Sequence, residues 1–235
     1  MSNPSIEQRL AGVRERIAAA ARAAGRRPET VRLIAVSKTV DAAAVGEALA
    51  AGQRVFGENR VQELAAKAAA LPGDCEWHLI GHLQHNKARA AVQAAAWIHS
   101  VDSLDLLERL DRIAGEEGRR PQVLLQVNMT GEASKSGLAP AAVPAVVAAA
   151  RACANLSCRG FMTMAEFDAD EAALRACFGG LRRLRDEVAE RCGIALPELS
   201  MGMSGDFEIA IAEGATMDAM LARMRAVCIL SFSST

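Results

Sequence analysis

No tyrosine occurs in this chain of 235 residues, and aromatic residues of all kinds make up only 3% of it. Such scarcity excludes a base-stacking platform of the type that holds single-stranded nucleic acid. Charge of one sign is not in excess either: a formal net charge of -1 gives no overall reason to bind nucleic acid or an anionic membrane. The local clusters Arg26-Arg27, Arg119-Arg120 and Arg182-Arg183 with Arg185 lie among Glu and Asp, where solvated helical charge accounts for them. No Cys-x-x-Cys pair is present. The cysteines at 75, 153, 158, 177, 192 and 228 fit free, mostly buried thiols in a reducing cytosol. The chain opens without an apolar leader, so a cytoplasmic protein is expected. Its most apolar stretch, 139–150, is too short to span a bilayer and carries Pro140 and Pro144.

What is present is a regular beat. The opening helix has Ile6, Leu10, Val13, Ile17, Ala21 and Ala24 on one face, with Asn3-Pro4 as start and Gly25 as stop. Short β-type runs follow at 31–37, 54–56, 76–80, 97–100, 122–127, 157–161 and 196–200. Helical patterns alternate with them at about 41–51, 60–70, 85–95, 103–117, 140–154, 169–192 and 204–214, with N-caps expected at Asp41, Ser103 and Ser204. Repeated strand–helix units imply parallel strands joined by right-handed crossovers. Seven strands before residue 201 favour a single (β/α)8 TIM barrel with an extra N-terminal helix. An open Rossmann-like sheet is the alternative, but no Gly-x-Gly-x-x-Gly follows the first strand. Without a linker-like segment, residues 1–235 are expected to form one domain. The eighth strand is the weak element: 216–225 reads as helix, and only 227–232 looks like strand.

Barrel sites are built at the carboxyl ends of the strands. The residues falling there are Lys38, Asn59, His82, Asn128, Met162 and the run Met201-Gly202-Met203-Ser204, a mixed polar set that suits a small molecule. Lys38 ends the apolar run 31–37. A desolvated amine there could attack an aldehyde, or the side chain could simply snorkel into water. Asn59, after Gly57, could donate to a ligand or cap the following helix. The turn at Met201, Gly202 and Ser204 could cradle a phosphate on backbone N–H groups or provide an ordinary Ser cap. His78, His82 and His85 invite a zinc reading, yet they straddle strand, loop and helix start with no cysteine or carboxylate to complete a set. No metal is therefore expected, and His82 is the one placed to face the site. Lys135, in Ser134-Lys135-Ser136-Gly137, is a surface lysine with weak phosphate contact as a minor reading.

Taken together, these segments resemble the pyridoxal phosphate (PLP) homeostasis proteins, a cytosolic family related to the barrel domain of alanine racemase. The resemblance is carried by Leu33-Ile34-Ala35-Val36-Ser37-Lys38-Thr39, Phe56-Gly57-Glu58-Asn59 with Val61-Gln62-Glu63, and Trp77-His78-Leu79-Ile80-Gly81-His82-Leu83-Gln84 with Asn86-Lys87. It continues in Ser134 to Gly137, Gly160-Phe161-Met162-Thr163-Met164, and Leu199-Ser200-Met201-Gly202-Met203-Ser204. It implies a barrel holding pyridoxal 5'-phosphate as a Schiff base on Lys38, phosphate contacts near Ser204, and a role in buffering or supplying the cofactor without turnover. Two departures stand out. Arg60 occupies a position where the family often has an aromatic residue. After Met217 the family continues with a strand of the type Val-Arg-Ile-Gly-Thr-x-Ile-Phe-Gly, whereas this chain reads Asp218-Ala219-Met220-Leu221-Ala222-Arg223. The pyridine-side arginine is lost, and segment 218–235 is atypical, which puts cofactor affinity and barrel closure at stake.

Three functions compete on this pattern. In the first, the chain is a non-catalytic PLP-binding protein using Lys38, Asn59, His82, Met201, Gly202 and Ser204, a monomer that serves PLP-dependent apoenzymes. The second is a PLP-dependent enzyme such as an amino-acid racemase, which needs a proton acceptor and a proton donor on opposite faces of the cofactor. In the racemases it resembles, the second base is a tyrosine from an added domain, and this chain has no tyrosine. The third is a Schiff-base aldolase that uses the same lysine without a cofactor.

Overall fold

A computed structural model of the chain describes residues 4–132, 136–166 and 168–220. Eight parallel strands close into a barrel in sequence order, each pairing with its neighbours in the chain and the eighth pairing back onto the first. The strands are β1 (Arg32–Val36), β2 (Val55–Glu58), β3 (Glu76–Leu79), β4 (Trp97–Val101), β5 (Gln122–Gln126), β6 (Ser157–Met162), β7 (Glu198–Ser200) and β8 (Met217–Met220). The helices are α1 (Ile6–Ala23), α2 (Ala42–Ala50), α3 (Val61–Ala70), α4 (Ala88–Ala94), α5 (Leu104–Glu116), α6 (Val143–Ala152), α7 (Glu171–Cys192) and α8 (Phe207–Ala212). The (β/α)8 expectation holds, and α1 has a definite place in it. This helix packs against both α2 and α8, so it fills the gap in the outer ring between the last and first crossover helices. Ile17 and Ala21 of α1 are buried against Val31, Phe207 and Ile211. A capping box between Ser5 and Gln8 starts α1, one residue past the expected Asn3-Pro4 signal.

Several boundaries differ from expectation. Asp41 and Ser103 cap α2 and α5, accepting from the Ala44 and Leu106 N–H groups. Ser204 does not cap α8: the helix begins at Phe207, and the cap position belongs to Asp206. The helix expected over 85–95 is a 3-10 turn at His85–Lys87 followed by α4. The largest correction is β8. Residues 217–220 were expected to be helical, but they form a strand in register with β1, Arg32 opposite Met217 and Ala35 opposite Met220. Backbone pairing across the seam overrides the weak strand preference of Met-Asp-Ala-Met. The strand expected over 227–232 lies outside the described residues.

Two layers fill the barrel interior. Ile34, Trp97, Leu124, Met162 and Met217, from β1, β4, β5, β6 and β8, meet in one apolar cluster. A polar chain also crosses the interior. Arg32 donates to Glu76 Oε1 (2.9 Å), which contacts His78 Nε2 (2.8 Å); His78 Nδ1 contacts His99 Nε2 (2.8 Å), and His99 Nδ1 contacts Ser200 Oγ (2.9 Å). Because His99 of β4 reaches Ser200 of β7, three strands away, the last bond spans the lumen. Burial pushes both histidines below their ordinary range, His99 furthest, and the His78 hydrogen bond holds the Glu76 carboxyl low. These states fix the tautomers. Ionised Glu76 can only accept, so His78 and His99 each carry the proton on Nε2, and Ser200 donates its hydroxyl downward to His99.

Candidate functional site

Lys38 leaves β1 half-buried at the strand's carboxyl end, in a tight turn. The Val40 N–H closes that turn on the Ser37 carbonyl (3.0 Å), and Thr39 sits at φ +62°. A β-branched residue at positive φ is a genuine outlier and persists only where its surroundings enforce it. Those surroundings lie below. Ser37 is fully buried and donates its hydroxyl to Glu58 Oε1 (2.6 Å), while Lys67 of α3 reaches both Glu58 Oε1 (2.5 Å) and the Ser37 carbonyl (2.7 Å). Neither Glu58 nor Lys67 was singled out in the sequence, although a signal exists: Lys67 falls on the buried stripe Val61, Leu64, Lys67 of an otherwise apolar helix face.

The turn after β7 is the second component. Met201 is buried, Gly202 has φ +98°, and Ser204 is exposed. Asp206 Oδ1 accepts from the Met203 N–H (2.5 Å), and the Asp206 and Phe207 N–H groups turn back to the Met203 carbonyl. The N–H groups of Gly202, Ser204 and Gly205 find no acceptor among the described residues. Three unengaged donors on one turn are left available to an anion. No side chain can be added at Gly202, where a Cβ would stand 2.7 Å from Ala210 Cβ and 2.8 Å from Asp218 Oδ2. That Asp218 carboxyl is fully buried behind the turn. Neither oxygen has a partner among the described residues, and burial, aided by Asp206 and Glu208, pushes its pKa well up. Desolvation also raises Asp206.

Asn59 and His82 stand on neighbouring strand ends and share a cavity of about 560 Å³ with Arg60, Gln62, Gln84 and Lys87. Lys38, Gly202 and Ser204 do not line it, so of the expected site residues only Asn59 and His82 share this cavity. Asn59 does not cap α3, because Arg60 occupies that position and no side chain caps the helix. The Asn59 backbone instead packs on Gly81, where a Cβ would lie 2.3 Å from the Asn59 carbonyl oxygen. His82 is exposed with Nδ1 3.3 Å from Asp102, and His85 Nδ1 lies 3.0 Å from Asp105. With His78 inside the barrel, the three histidines point to three different partners. Asn128 organises its own loop, donating to the Glu132 carbonyl and accepting from Thr130 and Gly131. Met162 belongs to the apolar layer, and Lys135 lies outside the described residues. Ala219 pairs with Ile34 across the seam, and a parallel pair points its side chains the same way. A methyl therefore faces the lumen where the resemblance would put an arginine.

The sequence pattern of the alanine racemase N-terminal domain matches residues 9–222. A pyridoxal phosphate homeostasis protein of Pseudomonas aeruginosa is 48% identical over 214 residues, covering 90% of this chain and 91% of that protein. The protein of the same name from Aquifex aeolicus is 39% identical over 211 residues, 89% of this chain and 92% of its own length. Among solved structures, PipY of Synechococcus elongatus PCC7942 with PLP bound superposes with a TM-score of 0.82 at 45% identity, covering 92% of this chain and 97% of PipY. D-threonine aldolase from Filomicrobium marinum, at 16% identity and a TM-score of 0.77, shares the fold. The chain thus belongs to the alanine racemase N-terminal domain family and, within it, to the pyridoxal phosphate homeostasis proteins.

Proposed function

We propose that this chain binds pyridoxal 5'-phosphate at the carboxyl-terminal mouth of its barrel, as a Schiff base on Lys38, and acts in PLP homeostasis without turnover. The observation that carries this reading is the pairing of a half-buried lysine, presented by a constrained turn at the end of β1, with three unengaged N–H donors after β7. In the closed barrel those two strand ends are separated only by β8. The donor set fits the cofactor's groups: an amine for the aldehyde, and the Gly202, Ser204 and Gly205 amides with the Ser204 hydroxyl for the phosphate. Met201 supplies an apolar floor, while Asn59 and His82 approach from the β2 and β3 ends. The bound cofactor supplies an electron-withdrawing ring and a reactive aldehyde; the chain supplies placement and charge balance.

The names of the relatives and the PLP-bound PipY structure support this function. We read residues 1–235 as one domain with an atypical segment from 218, and the protein as a cytoplasmic monomer that passes PLP to dependent apoenzymes. Among the described residues no helix is long and apolar enough to cross a membrane. Incubation with PLP, borohydride reduction and peptide mapping test the site: the label is expected on Lys38, and Lys38→Ala should lose the visible chromophore. Wild-type protein that stays colourless overturns the reading. Sustained α-proton exchange of amino acids in deuterated water would instead establish the racemase-type enzyme.

A further inference from the structure

Every polar group of Ser37 is engaged. Its N–H donates to the Gly57 carbonyl (3.0 Å) and its hydroxyl to Glu58, while its carbonyl accepts from both the Val40 N–H and the Lys67 ammonium. Two of these four contacts come from one buried ion pair, Glu58 with no exposure and Lys67 with 9%. A buried ion pair is weak evidence for stability, since apolar residues of the same volume commonly serve as well. What an apolar pair could not do is grip Ser37 at the hydroxyl and the carbonyl together. The consequence falls on the next two residues. With Ser37 fixed at one end and Val40 at the other, Lys38 and Thr39 must bridge the turn, and Thr39 is forced to φ +62°.

We infer that the buried Glu58–Lys67 pair is a positioning device for Lys38: it clamps Ser37 and so holds the strained turn that fixes where the Lys38 amine stands. As a claim about cofactor capture this rests on the proposed role of Lys38; as a claim about the turn it stands alone. Lys67 and Glu58 are positioning residues, acting through Ser37. Pre-orientation matters here because an amine on a four-carbon stem loses much rotational freedom when it must meet an aldehyde in one direction.

Lys67→Met alone would leave Glu58 buried and unpaired, so the test uses the double variant Glu58→Gln/Lys67→Met. It removes both charges, keeps an acceptor for the Ser37 hydroxyl and deletes the donor to the Ser37 carbonyl. Circular dichroism should match wild type. Amide exchange at Val40 should speed up about tenfold, the change expected when one ordinary hydrogen bond is lost. Reductive labelling of Lys38 by PLP and borohydride should slow several-fold. Adding Thr39→Gly, which accepts positive φ without strain, should recover part of both effects. If the double variant does not fold, Ser37→Ala decides, because it removes one grip and no charge; the same two changes are expected at smaller size. A folded variant with wild-type Val40 exchange and wild-type Lys38 labelling overturns the inference. Failure of wild-type Lys38 to take the label would instead overturn the cofactor reading, with Val40 exchange still judging the clamp.

Discussion

Asp218→Val should stabilise this protein, and more so as the pH rises. Both Asp218 oxygens are buried without a partner among the described residues, and Oδ2 lies close against Gly202. An unpartnered buried polar group costs about 1–3 kcal/mol, and the two valine methyls contribute about 1.5 kcal/mol by burial in the same volume. The sum, roughly 2.5–4.5 kcal/mol, corresponds to a rise in Tm of about 5–18 °C for a chain of this size. The pH dependence follows from the raised carboxyl. The unfolded chain ionises Asp218 near the usual 3.8, whereas the folded chain resists ionisation until well above it. The wild-type fold therefore loses stability as pH climbs from 3.8 through the folded value, and the advantage of Val grows over the same window. Thermal and urea unfolding at pH 5 and pH 8 measure it. Asp218→Asn is the control, expected to abolish the pH dependence while keeping the unsatisfied polar group. A variant no more stable than wild type at pH 8 would refute the reasoning, since the carboxylate would then have a compensating partner.

Two further outcomes are expected. Gly160→Ala should prevent stable folding, because Gly160 has φ +154° and a Cβ there would stand 1.8 Å from the Glu198 carbonyl oxygen at the β6–β7 pairing; expression with a native-like thermal transition would contradict this. The buried histidines act in the opposite direction to Asp218: His78 and His99 are held neutral by burial and take up protons more readily when unfolded, so their own contribution to stability falls as pH drops below about 6.5. Denaturant titration between pH 8 and pH 5 in the Asp218→Asn background isolates this slope, and adding His99→Leu should flatten it.

Much of the barrel was legible because alternating strand and helix periods survive in one dimension. The runs Leu33 to Val36 and Val123 to Leu125 are apolar, and the caps Asp41 and Ser103 use short-range chemistry. Two of the misses depend on partners distant in the chain, and the third on a local competitor for the same turn. Met217–Met220 has no intrinsic strand character and becomes β8 only because β1, some 180 residues earlier, offers a row of backbone groups to pair with. Ser204 looks like a helix cap, but the turn is instead closed by Asp206 on Met203. His78 is one of three histidines close in sequence that invite a zinc reading, which the sequence itself disfavours. Its strand register turns it into the lumen toward His99, a residue that nothing local connects to it.

The same dependence bears on the site proposed at the mouth of this barrel. Beneath the mouth, the Ile34, Trp97, Leu124, Met162 and Met217 cluster fills the interior, and the Glu76–His78–His99–Ser200 chain consumes the polar groups beside it. Ser200 gives its proton to His99, so at the foot of the β7 turn it can only accept. Donors toward an anion must then come from the turn itself, from the Gly202, Ser204 and Gly205 amides. Asp218 lies against Gly202 at the base of that turn, where its ionised form would repel an anion held by the turn. With Ala219 supplying no cation at the lumen face of β8, the proposed site would hold the phosphate only by three backbone dipoles, the Ser204 hydroxyl and the proposed covalent bond to Lys38. Removing the Asp218 charge should accordingly tighten PLP retention as well as the fold, and a fluorescence titration that finds equal affinity at pH 5 and pH 8 in the wild type would separate the two effects.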